Sequence, residues 1–499
     1  MPRGQLFPLV TQPGIKRDGT QFLGKWYIDG QWVRFYRGRA RKIGGYKQII
    51  GGLPNIPRGV FVTPSTPNFD VYIGDQNTLN FFQMDQNGNA ISGLNNITPA
   101  GFNPDADNLW QFDEMFSTVS NESILIAHAA PNASFIGSTV ERPVYYGPID
   151  MNTPLISTGQ DVSGGIVVLH PYLFMFGNSG DVRWSAANDP TTILGTARIA
   201  SEKIVYGSST RGGNSSPAGL LWTLTSLIKV TQVGTTDILF KFDTVTDQSS
   251  ILSSRSVIEY DGLYFWAGID RFLVYNGVVQ EVPNQMNLNY FFLNLNYQQR
   301  QKVWATKVPQ YGEIWWFFPL GNSVECNHAI IYNKRENTWY DTSITRGSGY
   351  FEQVFADPIW ADTSLINGNY TLWQHESGVD QRIGNNLTAI DSFFETGDLA
   401  FVALGPTGSW TGDEIWIDLY RLEPDFIQAG AMSLVINGRE YARSLVQSSI
   451  PYPFDPATTK IDLREQRREM TLRFESNVVG GFYELGETLL YFRTGDVRA

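Results

Sequence analysis

Between Val257 and Ser343, short β-rich runs alternate with tight-turn residues, a rhythm that leaves little room for helices. Val257-Ile258-Glu259-Tyr260 is followed by Asp261-Gly262, then 263–267, the turn Gly268-Ile269-Asp270, 271–275, Asn276-Gly277 and 278–282. Asp-Gly and Asn-Gly tolerate the positive φ that two-residue hairpins demand, so the stretch reads as a four-stranded meander. The grammar repeats over 302–307, a turn at Gly312, 313–319, a loop at Gly321-Asn322, 328–332, a polar turn and 339–343. The two units start at Val257 and Val303, 46 residues apart, which matches the period of about 40–50 residues in propeller blades. Weaker copies at 69–91, 124–146, 167–184, 220–242 and 359–382 extend the pattern. The prediction is an all-β chain built on a β-propeller of about six to eight blades. Each sheet buries both faces against its neighbours, and ring closure leaves only short edges.

Helical periodicity is confined to Met286–Lys302, where Leu288, Phe291, Phe292 and Leu295 share a face. From about Asp391 the strands lengthen, as in 414–420, 432–436 and 470–475, with Asn437-Gly438 read as a turn. Along 461–475 a charged run gives way to alternation of Met470, Leu472 and Phe474 with polar partners, one face apolar and the other salt-laced. The expected organisation is a basic N-terminal arm over 1–57, a propeller over 58–385, and a β-sandwich-like platform module over 386–499 packed with the arm.

The chain carries 37 Lys+Arg against 49 Asp+Glu, a net charge of −12, which argues against a nucleic-acid coat or a basic membrane binder. Its single cysteine, Cys326, excludes an intrachain disulfide. Neither a signal-peptide pattern at the start nor an apolar run of about 20 residues is present, so synthesis in the cytoplasm without membrane insertion is expected.

Motifs for P-loops, dinucleotide cradles, zinc proteases and serine hydrolases are absent from the sequence. The histidines His128, His170, His328 and His375 lack metal-ligand spacing, and no cofactor, metal or catalytic residue is assigned. The Gly-rich stretch 207–216 lacks the Lys-Ser/Thr ending of a phosphate loop, and 85–89 reads as a hairpin turn rather than a calcium loop. Acids at strand ends, Glu259, Asp261, Asp270, Glu313, Asp341 and Glu376, are the candidates for a glycosidase-type carboxylate pair.

The outlier is the segment Lys25–Lys47, which holds seven basic residues against one acid, Asp29. Arg34, Arg37, Arg39, Arg41 and Lys42 alternate there with aromatics, and together with Arg464, Arg467 and Arg468 they form the candidate partner or oligomer interface. Edge protection of a strand is the competing explanation.

The segment Trp32-Val33-Arg34-Phe35-Tyr36-Arg37-Gly38-Arg39-Ala40-Arg41-Lys42-Ile43-Gly44-Gly45-Tyr46 resembles the opening of tail hub or nozzle proteins of short-tailed bacteriophages. Similar matches run through 261–272, 313–319 with 330–333 and Trp339, 394–399, 472–477, Leu485-Gly486 and 495–498. The resemblance implies a non-enzymatic structural virion protein, made in the host bacterial cytoplasm and assembled into the tail as a homohexameric ring. That ring would sit below the portal and tail adaptor protein, bind a needle or plug protein and a tail fibre or spike, and conduct double-stranded DNA during ejection. An acidic lumen would suit that passage. The alternative is a glycan-processing or glycan-binding β-propeller, with Trp315 or Trp339 as sugar-stacking faces.

Overall fold

A computed structural model of the chain describes residues 5–19, 25–100, 102, 109–130, 144–147, 153–155, 162–210, 218–234, 238–351, 357–399, 402–404, 410–412, 416–440 and 444–494. Among them, six antiparallel four-stranded sheets follow one another along the chain, beginning at Pro57–Ser65, Leu109–Ser117, Gly165–Leu169, Ile204–Ser209, Ile258–Tyr260 and Trp304–Val308. A seventh is led by Arg346–Tyr350 and continues through Ile359–Asp362 and Tyr370–His375. These are the seven blades of a β-propeller, numbered here in that order.

The turns explain the meanders. Asp261 (φ 53°) and Gly262 (φ 76°) both sit in the left-handed region, as a type I′ hairpin requires. Pleating then sends successive side chains to opposite faces, each covered by a neighbouring blade. Along Glu313–Phe318 every residue is buried: Ile314, Trp316 and Phe318 pack toward blade five, while Trp315 and Phe317 join the core facing Trp360 of blade seven. Equivalent cores join each blade to the next, and the circle closes where Ile359, Ala361 and Leu372 of blade seven meet Val60, Val62 and Val71 of blade one.

The arm boundary expected at residue 57 is displaced. Tyr46–Leu53 is the next strand of blade seven, antiparallel to Tyr370–His375, with Gln381–Ile383 added in parallel on its far side. The downstream chain provides three strands before this point, so the outer edge of blade seven would otherwise lie open. Gly45 permits the approach: a Cβ there would lie 2.3 Å from the Asp380 carbonyl oxygen. The short helix falls at Leu288–Asn294, followed by a 3-10 turn at Tyr297–Lys302, and buries Phe291 against Phe272 and Phe318.

Beside the propeller lies the sandwich-like platform. One sheet orders Gln5–Pro8, Leu489–Thr494, Ile417–Glu423 and Ile461–Arg467. A second runs from Gln12–Ile15 through Trp26–Gln31, Ser392–Thr396, Glu469–Ser476 and Met432–Arg439 to Gln447–Ser448. A third joins the basic hairpin Val33–Tyr36 and Arg39–Lys42 to Phe482–Leu485 and Phe426–Ala429. The platform shares one core with blades six and seven, where Phe35, Phe394 and Phe474 belong to the same cluster as Trp315 and Trp360. Asn437-Gly438 is not a turn: both residues lie inside Met432–Arg439, and Gly438 leaves the space that the Arg467 side chain fills, 2.4 Å from where a Cβ would be.

Candidate functional site

The basic hairpin turns at Arg37 (φ 52°) and Gly38 (φ 76°), so its strands pair in register with Arg34 opposite Arg41. In an isolated hairpin, alternation would put Arg34 in water opposite Val33 and Phe35. Here both faces are covered, and Arg34 is fully buried. Its Nη1 and Nη2 donate to Glu376 at 2.8 and 2.5 Å, and Nη2 donates to Glu313 at 3.1 Å. Its Nε lies 2.8 Å from Glu313 Oε1, and its plane covers the Tyr311 ring at 3.6 Å. Tyr340 and Trp315 donate to the remaining Glu313 lone pairs at 2.6 and 2.9 Å. Burial opposes the Arg34 charge, and the two carboxylates outweigh it. Arg34 is therefore a clamp between arm, blade six and blade seven, not a partner contact.

Lys42 is corrected in the same way. Its ammonium is buried without a hydrogen-bond partner among the described residues, and burial lowers its pKa while Asp380 and Asp391 oppose the shift. Arg37 and Arg39 are exposed and Arg41 is partly so, the latter two lying 3.7 and 3.6 Å from Glu484. Arg464 is exposed on Ile461–Arg467, Arg467 pairs with Glu465 at 2.8 Å, and Arg468 is half-buried. The two basic groups lie on different sheets.

The acids are committed to cations. Glu259 pairs with Lys307, Asp261 with Lys334, Asp270 with Arg271, and Asp341 with Arg17. Glu313 and Glu376 do converge, but on Arg34 and away from solvent. Ser343 Oγ lies 3.2 Å from His328 Nδ1, and His328 Nε2 lies 2.9 Å from Asp341. That chain resembles a catalytic relay, yet Arg17 holds the same carboxylate through two nitrogens and neutralises the charge an imidazolium would need. Trp315 and Trp339, named as sugar-stacking faces, are both buried. Most of the 207–216 loop and the 495–498 motif lie outside the described residues.

Two features escape sequence reading because they are assembled from distant strands. A polar cavity of about 480 Å³ opens in the platform between Arg17, Asp29, Glu395, Asp398, Arg439 and Arg473. Burial, aided by Glu469 and Glu395 and opposed by Arg439, pushes Asp398 up to about 6. The second feature is a pair of apolar sheet edges. Leu445 (89% exposed), Val446 and Ile450 (76%) flank Gln447–Ser448 at one end of the second sheet, and Leu6 and Phe7 lie on Gln5–Pro8 at the end of the first. Single exposed apolar residues are ordinary; these instead group beside strands that, among the described residues, are paired on one side only.

Fold and surface together define a seven-bladed propeller carrying a sandwich-like platform whose two end strands expose apolar side chains. No protein-family model matches the sequence, and no curated protein does. Among solved structures, the crystal structure of BBS1N in complex with ARL6DN is similar at 9% identity and a TM-score of 0.41, over 67% of this chain and 97% of that chain.

Proposed function

We propose that the chain is a structural ring subunit of the tail hub or nozzle kind that its sequence resembles. The observation that carries this reading is the pair of unlike apolar edges on one platform, Gln5–Pro8 and the 445–450 segment. Unlike edges support head-to-tail contact between copies, and head-to-tail contacts form a ring when the rotation closes. The clamp at Arg34 supports the same role, because it makes platform and propeller one stiff body that transmits load between neighbours. On this reading the exposed Arg37 and Arg39 and the partly exposed Arg41 meet an acidic partner or neighbouring copy, and the adaptor, plug, fibre and passing DNA are the ring's partners in the virion.

The test is sedimentation and negative-stain imaging of the purified chain, alone and with a co-expressed adaptor. A closed ring that is lost in Leu445→Ser/Ile450→Ser, with the melting curve unchanged, supports the reading. A monomer under every condition overturns it.

A further inference from the structure

The propeller gathers cations at one end of its axis. Arg58 stands near the start of the inner strand of blade one, Arg255 three residues before that of blade five, and Lys302 two residues before that of blade six. The loop between the second and third strands of blade six brings Glu325 and Cys326 to the same place. Arg58 holds Glu325 through both nitrogens at 2.7 and 2.9 Å, and Lys302 reaches the same carboxylate at 2.7 Å. Blades one and six are not neighbours, since blade seven stands between them. Side chains of such blades meet only where the inner strands converge.

The charges do not balance. Glu325 is shared by Arg58 and Lys302, which leaves Arg255 with no hydrogen bond or ion pair from its guanidinium among the described residues. Its guanidinium lies 6.0 Å from the Trp304 ring, at the limit of a cation–π contact. Arg255 is partly buried, and burial together with the charge of Arg58 pushes it down to about 10. Cys326 does not supply the missing negative charge: burial holds its thiol up at about 12, so it stays protonated. A half-buried arginine without a counter-ion, beside two cations that share one carboxylate, leaves an excess of positive charge at the axis that an arriving anion would neutralise.

We infer that this axial cluster is a binding site for a small tetrahedral oxyanion of the phosphate class, held by Arg255 with Arg58 and Lys302 in support. A planar guanidinium donating through two nitrogens suits that geometry. The phosphate arrives either free or as the terminal group of a nucleotide.

Calorimetric titration of the full chain with sodium phosphate, against sodium chloride at matched ionic strength, tests the site. The expected result is saturable binding of one phosphate per chain, at least tenfold weaker in Arg255→Gln and largely retained in Arg255→Lys. A nucleoside 5′-monophosphate run alongside separates the sources: tighter binding than phosphate assigns a nucleotide, weaker binding a free anion. Should Arg255→Gln fail to fold, wild-type protein still decides, because phosphate must raise its melting temperature above the chloride control. No saturable binding to the wild type, or equal affinity in a folded Arg255→Gln, overturns the inference.

Discussion

Replacing Arg34 with Met removes one member of a closed buried charge cluster and leaves Glu313 and Glu376 facing each other across the space it occupied. Removing one partner of a buried ion pair costs about 3–5 kcal/mol, because the remaining charge has neither water nor a counter-ion. The pH dependence has a definite sign. Burial already raises Glu313 above its ordinary value of 4.5, Arg34 pulls it down, and Glu376 pushes it up. Without Arg34 the folded-state pKa rises further, so the folded protein holds a proton that the unfolded chain releases. The deficit therefore opens as pH rises above about 4.5 and is largest at neutral pH. Urea unfolding followed by tryptophan fluorescence reads the loss near its source, because Trp315 donates directly to Glu313. Hydrogen exchange at Val33–Tyr36 should rise in parallel. The triple variant Arg34→Met/Glu313→Gln/Glu376→Gln should recover most of the stability, since no unpaired charge remains. A loss below about 1 kcal/mol at pH 7.5, or one that does not shrink at pH 4.5, refutes the clamp.

Arg37→Ser/Arg39→Ser/Arg41→Ser should leave unfolding within about 1 kcal/mol of wild type, as loose surface pairs do, while lowering ring yield in sedimentation. Gly45→Ala should cost about 1–3 kcal/mol by forcing Tyr46–Leu53 away from Asp380, visible as faster exchange along that strand. His375 accepts a hydrogen bond from Arg346 Nε at 3.0 Å, and burial followed by the Arg346 charge holds its pKa well below 6.5. Its contribution is complete above pH 6.5 and is lost as pH falls below that, so His375→Gln should flatten the acid limb of a stability–pH curve by up to about 1.4 kcal/mol per pH unit. Asp398→Asn should stabilise the protein at pH 7.5 by about 1 kcal/mol after allowance for solvent screening, and the gain should vanish below pH 4.

What could be read in advance follows from how local each interaction is. Blade five was legible because Asp261-Gly262 and Asn276-Gly277 encode its hairpins within a few residues, and blade six because the same strand-and-turn spacing repeats 46 residues later around Gly312 and Gly321-Asn322. Trp315 and Trp316 lie in different cores, as alternation along one strand dictates for adjacent residues. The closing strand was not legible, because Tyr46–Leu53 resembles any arm strand until its partner more than 300 residues later is known. Arg34 and Lys42 were misplaced for the same reason: alternation assigns them to water, and only distant acids and a second covering layer make them internal. The cavity and the axial cations are likewise products of convergence, with no signature in any one segment.

The closing strand also sets an order of events during synthesis. Tyr46–Leu53 leaves the ribosome long before Tyr370–His375 exists to receive it. At about 5–20 residues per second it waits on the order of 15–60 s. Through that interval the nascent circle of blades has no clasp, and the hairpin that follows Trp32 cannot settle on Glu313 or Glu376. Chaperone demand should therefore peak late in translation, and a fragment begun at residue 57 would carry that unfinished state permanently.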